Sequence, residues 1–114
     1  MFEKGYIGKA YSTVIEDWFT ITHKFHFTAN GSSYLNVRLP TLTQVNNAVG
    51  NESVIFDIEI ICDRNMSNKI KVSPQNGCTM YDNDGGSISG IDMTKGDSLT
   101  VRYYNGGWMV VNKQ

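Results

Sequence analysis

The run Ser98-Leu99-Thr100-Val101-Arg102-Tyr103-Tyr104-Asn105-Gly106-Gly107-Trp108-Met109-Val110-Val111 decides the fold. Leu99, Val101 and Tyr103 alternate with Thr100, Arg102 and Tyr104. Apolar residues at a period of two mark a half-buried β-strand. Asn105-Gly106 is a type I′ turn signal, because both central residues of that turn need positive φ. Such a turn sets Tyr104 opposite Gly107, Tyr103 opposite Trp108, Arg102 opposite Met109, Val101 opposite Val110 and Thr100 opposite Val111. Cross-strand partners share a face. Leu99, Val101, Tyr103, Trp108 and Val110 therefore make an inner face. Thr100, Arg102, Tyr104, Met109 and Val111 make an outer one. The outer set is too apolar for plain solvent, and a further strand or a second subunit is expected over it.

The same alternation recurs along the chain. Phe19, Ile21, His23, Phe25 and Phe27 oppose Thr20, Thr22, Lys24 and His26. After the turn signal Asn30-Gly31-Ser32-Ser33, Leu35, Val37 and Leu39 alternate with Asn36 and Arg38 up to Pro40. Leu42, Val45 and Val49 fit i, i+3, i+7 and predict one short helix within 41–52. Val54, Phe56, Ile58, Ile60 and Cys62 then share one strand face, with Asp57 and Glu59 on the other. Short strands follow at Ile70–Val72, Cys78–Tyr81 and Ile88–Ile91, the last two separated by the turn Asp82–Gly86. No helix recurs between strands, which argues against a βαβ architecture. The predicted fold is all-β, an antiparallel β-sandwich or jelly roll of about eight or nine short strands.

A chain of 114 residues is one domain. Residues 1–17 are set apart as an N-terminal arm and 18–114 as a single β-sandwich domain. Asn, Gly, Ser and Thr supply 40 residues while Ala supplies three, a composition of turns and strands rather than helices. The net charge of −1 gives no basic footprint for nucleic acid. No apolar run is long enough to span a bilayer, and Met1-Phe2-Glu3-Lys4-Gly5 has no apolar leader core. Cys62 and Cys78 are expected to be reduced thiols, since their spacing is no metal motif.

No constellation supports a reaction, and the chain is read as not an enzyme, with no cofactor and no metal. No GxSxG, HExxH or phosphate-binding loop occurs. His23 and His26 fall on opposite faces of a strand and cannot share a metal. Asp57 and Glu59 share a face at a spacing that two-carboxylate chemistry could use, but acids on a solvated strand face are far commoner. Asp82-Asn83-Asp84-Gly85-Gly86 opens like a calcium loop, yet Met93 stands where a Glu would be needed. It reads as a hairpin turn. Asn30-Gly31-Ser32 and Asn51-Glu52-Ser53 match the N-glycosylation triplet, as an Asn- and Ser-rich chain does by chance. Of the aromatics, Trp18, Tyr81, Tyr104 and Trp108 are candidate sugar platforms. Trp108 is better placed in the core beside Tyr103, leaving Tyr81 and Tyr104 as the ligand-contact candidates.

A wider pattern runs from Tyr34 to Asn112. It opens on Leu35-Asn36-Val37-Arg38-Leu39-Pro40, continues through the strand Val54–Cys62 and Ile70-Lys71-Val72-Ser73-Pro74, and closes on Gly96-Asp97-Ser98-Leu99-Thr100 with Gly107-Trp108-Met109-Val110-Val111. It resembles small β-sandwich domains of bacteriophage virion proteins, found in head fibres, decoration proteins and tail appendages. Those domains carry an early strand ending in Leu-Pro and a close of the form G-(D/E)-S-(L/V)-T … G-x-W-x-V. The resemblance implies a structural protein of the virion, made in the host cytoplasm and acting by assembly and surface binding. It implies a homo-oligomer, commonly a trimer, and contact with other virion proteins and a host surface glycan. The net charge and the short apolar runs, for their part, lead us to expect no nucleic-acid partner and no membrane insertion. The outer-face residues Arg102, Met109 and Val111 are then the expected subunit interface. The alternative is a carbohydrate-binding or lectin-like host-receptor module, with Tyr81 and Tyr104 as its platform.

Overall fold

Alternation builds the strands, and burial follows it residue by residue. Leu99, Val101 and Tyr103 are fully buried, as are Ile58, Ile60 and Cys62, while the residues between them are partly exposed. The computed structural model describes residues 3–6, 12–14, 24–27, 35–50, 53–65, 69–75, 77–104 and 106–114, with backbone alone for 3–6 and 12–14. Among the described residues, eleven strands and one helix follow in chain order. They are β1 (Glu3–Tyr6), β2 (Ser12–Val14), β3 (Lys24–Phe27), β4 (Leu35–Leu39), α1 (Leu42–Val49), β5 (Phe56–Cys62), β6 (Ile70–Pro74), β7 (Thr79–Tyr81), β8 (Ser87–Ile88), β9 (Ile91–Met93), β10 (Ser98–Tyr104) and β11 (Gly107–Lys113).

Two mixed sheets pack into a β-sandwich. The larger has seven strands in the order β1-β3-β5-β10-β11-β7-β8, and the smaller has four, β2-β4-β6-β9. Phe25, Phe27, Met80, Trp108 and Val110 enter the core from the large sheet, together with the inward residues of β5 and β10. Leu35, Val37, Leu39, Ile70, Val72 and Met93 meet them from the small sheet. The all-β sandwich expected from the sequence is the architecture found.

Its strand directions differ from the expected antiparallel pattern. Strands β1 to β6 alternate between the two sheets, and β1, β2, β3 and β4 each pair in parallel with the second strand after them. Lys24 lies beside Glu59, and Leu35 beside Ile70, so the second coil advances equally in both sheets. A crossover is what parallel pairing requires, and here each contains a strand of the opposite sheet, with α1 added where the chain passes from β4 to β5. Antiparallel pairing enters where the winding stops, at β5–β10, β10–β11, β6–β9 and β7–β8. Alternation reports which face is buried but not the direction of the neighbouring strand. Within residues 1–17, Glu3–Tyr6 pairs with β3 and Ser12–Val14 with β4, so this segment contributes strands to both sheets where an arm was expected.

The closing hairpin has the expected register from Tyr104–Gly107 to Val101–Val110. Beyond that, Thr100 pairs with Asn112 and not with Val111. Val111 is the extra residue of a β-bulge, which bends a strand and strengthens its local twist. Gly106 has φ +75°, in the left-handed region the turn demands.

The helix α1 forms where the i, i+3, i+7 spacing placed one. Thr41 caps it reciprocally: Gln44 N–H donates to Thr41 Oγ1 at 3.1 Å, and Thr41 N–H to Gln44 Oε1 at 3.1 Å. Gly50 ends it in the left-handed conformation. Val45 is fully buried, but Leu42 and Val49 keep over a third of their surface exposed. The corner before the helix is tied to the hairpin. Trp108 Nε1–H donates to the Pro40 carbonyl at 2.9 Å, and Gln75 Nε2–H to the Leu39 carbonyl at 2.9 Å.

Candidate functional site

The outer face of the large sheet gathers every residue singled out from the sequence for interface or ligand contact. Strand pairing fixes the arrangement. Arg102 on β10 lies opposite Met109 on β11, and Met109 lies opposite Tyr81 on β7. One cross-strand row therefore reads Arg102–Met109–Tyr81. The next reads Tyr104–Gly107–Thr79. Val111 sits two residues beyond Met109, on the bulge. Ile55, Tyr81 and Val111 are large apolar residues left exposed, at 65%, 36% and 36%.

The face rests on a rigid floor. Behind it, Tyr103 and Trp108 are fully buried and meet edge to face at 5.3 Å between ring centroids. Phe56 stacks on Tyr103 at 5.4 Å and meets Trp108 edge-on at 5.7 Å. Offset and edge-to-face pairs are the favoured aromatic geometries. Side chains on the outer surface of these strands are therefore held by a backbone whose inner side is fully packed.

Charge on the face is paired within the chain. Arg102 grips Asp57 in a fork, Nε–H to Oδ1 at 2.8 Å and Nη2–H to Oδ2 at 3.1 Å. That hydrogen bond, then the carboxylate's charge, raises the guanidinium's pKa above its ordinary value. Glu59 accepts from Ser98 Oγ at 2.8 Å and pairs with Lys24 at 3.7 Å. Asp57 and Glu59, which share a strand face as expected, are thus each engaged by a separate partner. His26 Nε2 lies 2.7 Å from Asp63 Oδ1, linking β3 to the turn after β5. Asp63 titrates below the usual carboxylate range, chiefly because it accepts from the Asn65 backbone N–H and then from His26.

Two of the three expected interface residues are engaged by their own chain. Arg102 is held by Asp57, and the Tyr104 hydroxyl donates to Met109 Sδ at 3.7 Å. No further strand lies over this face among the described residues; β7 extends the same sheet alongside β11. Val111 keeps its exposure.

The remaining sequence candidates are also placed. The acidic turn 82–86 closes the hairpin β7–β8, and its carboxylates serve the turn itself: Asp82 Oδ1 accepts from Asn83 N–H at 2.8 Å and Asp84 Oδ1 from Gly86 N–H at 2.9 Å. Cys62 and Cys78 are free thiols. Burial, with Asp97 and Asp63 nearby, pushes the Cys62 thiol up to about 11. Among the described residues no group of three or more His, Cys, Asp or Glu is arranged for a metal ion. No helix among them is long and apolar enough to cross a membrane. Trp18, His23, Asn30 and Asn51 lie outside the described residues.

Sequence reasoning missed the part played by Gly107 and Thr79. Gly107 sits between Tyr104 and Thr79 in its row, and a Cβ there would meet Thr79 Oγ1 at 3.0 Å and Tyr81 Cε2 at 3.4 Å. The doubled glycine after Asn105 was the available signal, since the turn itself needs only Gly106. Comparison of the chain with family models, with curated proteins and with solved structures finds no match.

Proposed function

We propose that the chain is a structural protein of a bacteriophage virion, a decoration, head-fibre or tail-appendage subunit, acting by assembly and surface binding. The sequence pattern from Leu35 to Val111 supports the reading. The observation that carries it structurally is the winding of β1 to β6. Among the described residues, β1 and β2 are the terminal strands of their sheets, each with no strand on its outer side. At the opposite end the terminal strands are β8 and β9, and the chain crosses directly between them through Ser89 and Gly90. A terminal strand presents backbone donors and acceptors that a further strand can take up. A wound β-structure also needs a cap or a neighbour at each end. We therefore assign assembly to the β1/β2 end, between copies of this chain as a homotrimer or against another virion protein.

The outer face of the large sheet is the surface-binding element, because Arg102 and Asp57 are already paired on it and Tyr81 and Val111 stay exposed. The test is composition of the particle. In phage particles purified to homogeneity from the producing host, the chain is expected at a fixed stoichiometry and resistant to washing with salt. Its absence from particles, with the chain free in the lysate, would refute the proposal.

A further inference from the structure

Met109 stands at the centre of the outer face, and two tyrosines approach it from opposite sides. Tyr104 comes from β10 and reaches diagonally, its hydroxyl meeting Met109 Sδ at 3.7 Å. Tyr81 comes from β7, directly opposite Met109, and its ring edge passes 3.4 Å from where a Cβ of residue 107 would be. Any side chain at 107 would crowd that ring and the Thr79 hydroxyl. Glycine there lets the ring lie low over β11. The two tyrosines and the thioether lie on three adjacent strands, a span of roughly 10 Å at ~4.8 Å per strand.

We propose that Tyr104, Met109 and Tyr81 form the floor of a binding site for a neutral saccharide, with the Arg102–Asp57 pair and Thr79 at its rim. The inference rests on the surface-binding half of the reading above. Three features set the ligand's chemistry. Aromatic ring faces suit the C–H face of a pyranose ring, which is apolar while its edge carries hydroxyls. The width spans about two such rings side by side across strands at this spacing. The rim is charge-balanced: Arg102 spends two N–H donors on Asp57 and retains three, while Asp57 and Thr79 offer acceptors. A balanced rim favours neutral hydroxyls over an anionic ligand. The floor is preorganised, because Trp108, Tyr103 and Met80 fill the inner side of the same three strands.

The experiment is a titration of the full chain with cellohexaose, mannohexaose and chitohexaose, and with a heparin-derived hexasaccharide as the anionic control, followed by NMR. At least one neutral hexamer is expected to bind at or below millimolar concentration, shifting Met109 methyl and the Tyr81 and Tyr104 ring signals. Tyr81→Ala and Tyr104→Ala are each expected to weaken that binding by about five- to tenfold, the size of one aromatic contact. Tyr81→Phe and Tyr104→Phe keep the floor and are expected to stay within about threefold of the parent. Unchanged core resonances certify the fold of each variant. The proposal is overturned by no binding of any neutral hexamer, by binding that survives both alanine variants, or by binding of the heparin fragment alone. The titration is read per subunit, so its failure leaves the assembly reading to the mass measurement.

Discussion

Trp108→Phe is the substitution that most sharply tests how the hairpin is locked to the rest of the sandwich. The indole N–H donates to the Pro40 carbonyl at 2.9 Å across 68 residues of sequence, and both the bond and the ring are buried. Phenylalanine retains the ring that meets Tyr103 and Phe56 but has no donor. The Pro40 carbonyl is then left without its indole partner, at a cost of about 1–3 kcal/mol. The Cys78 thiol, 4.0 Å from that oxygen, is too far to replace it at full strength. Loss of the smaller ring leaves a void of roughly 40 Å³, worth about 1 kcal/mol at ~24 cal/mol per Å³. The sum is about 3 kcal/mol. With a urea slope of about 1–3 kcal/mol per molar, the unfolding midpoint should fall by about 1–3 M at an unchanged slope. The amides of α1, whose N-cap Thr41 follows Pro40 directly, should exchange faster in the same variant. A midpoint lowered by less than about 0.3 M, with α1 protection intact, would refute the idea that this bond holds the corner.

Three further outcomes follow from single groups. Gly106→Ala should cost about 1–2 kcal/mol by urea unfolding, because φ is +75° there; adding Leu42→Ala, which removes the Cδ1 atom 2.7 Å from the new Cβ, should restore only a small part, and full rescue would mean that crowding and not backbone strain sets the cost. Asp63 and Asp97 both titrate below the ordinary value of 3.8, Asp97 mainly through the Thr94 backbone N–H. A lowered folded pKa makes the unfolded chain the stronger proton binder, so their contribution is complete above the unfolded value and is lost as pH falls through the folded one; urea midpoints measured downward from pH 5 should fall less steeply in Asp63→Asn/Asp97→Asn than in the parent, and equal slopes would contradict the assignment. Cys62 is buried with its thiol pushed up to about 11, so the native chain at pH 8 should consume at most one equivalent of a disulfide reagent, through Cys78, and the second only after unfolding; two fast equivalents in the native state would show that the β5 end opens.

Period-two alternation was enough to show the sandwich, because each strand is buried on one side and water meets the other. Ile58, Ile60 and Cys62 against Asp57 and Glu59, or Leu99, Val101 and Tyr103 against Thr100 and Arg102, carry that information unaided. The Asn-Gly turn fixed the hairpin register over four pairs, and it failed at Val111 because nothing in Met109-Val110-Val111 marks a bulge. The parallel winding was illegible for a different reason. Pairing of Lys24 with Glu59 or of Leu35 with Ile70 is a long-range fact, and the coils share burial pattern without sharing sequence. Of the outer face, Arg102, Met109 and Tyr104 were readable from the turn alone. That Tyr81 joins them depends on β7 lying parallel to β11, and that Asp57 occupies Arg102 depends on β5 lying on the other side of β10.

The measurement that bears most directly on the account is the native mass of the full chain, by light scattering after size exclusion at micromolar concentration. The account predicts a homo-oligomer, with a mass near three times the 12.8 kDa subunit. A stable monomer, with no growth in mass as concentration rises, would contradict assembly between copies through the β1/β2 end.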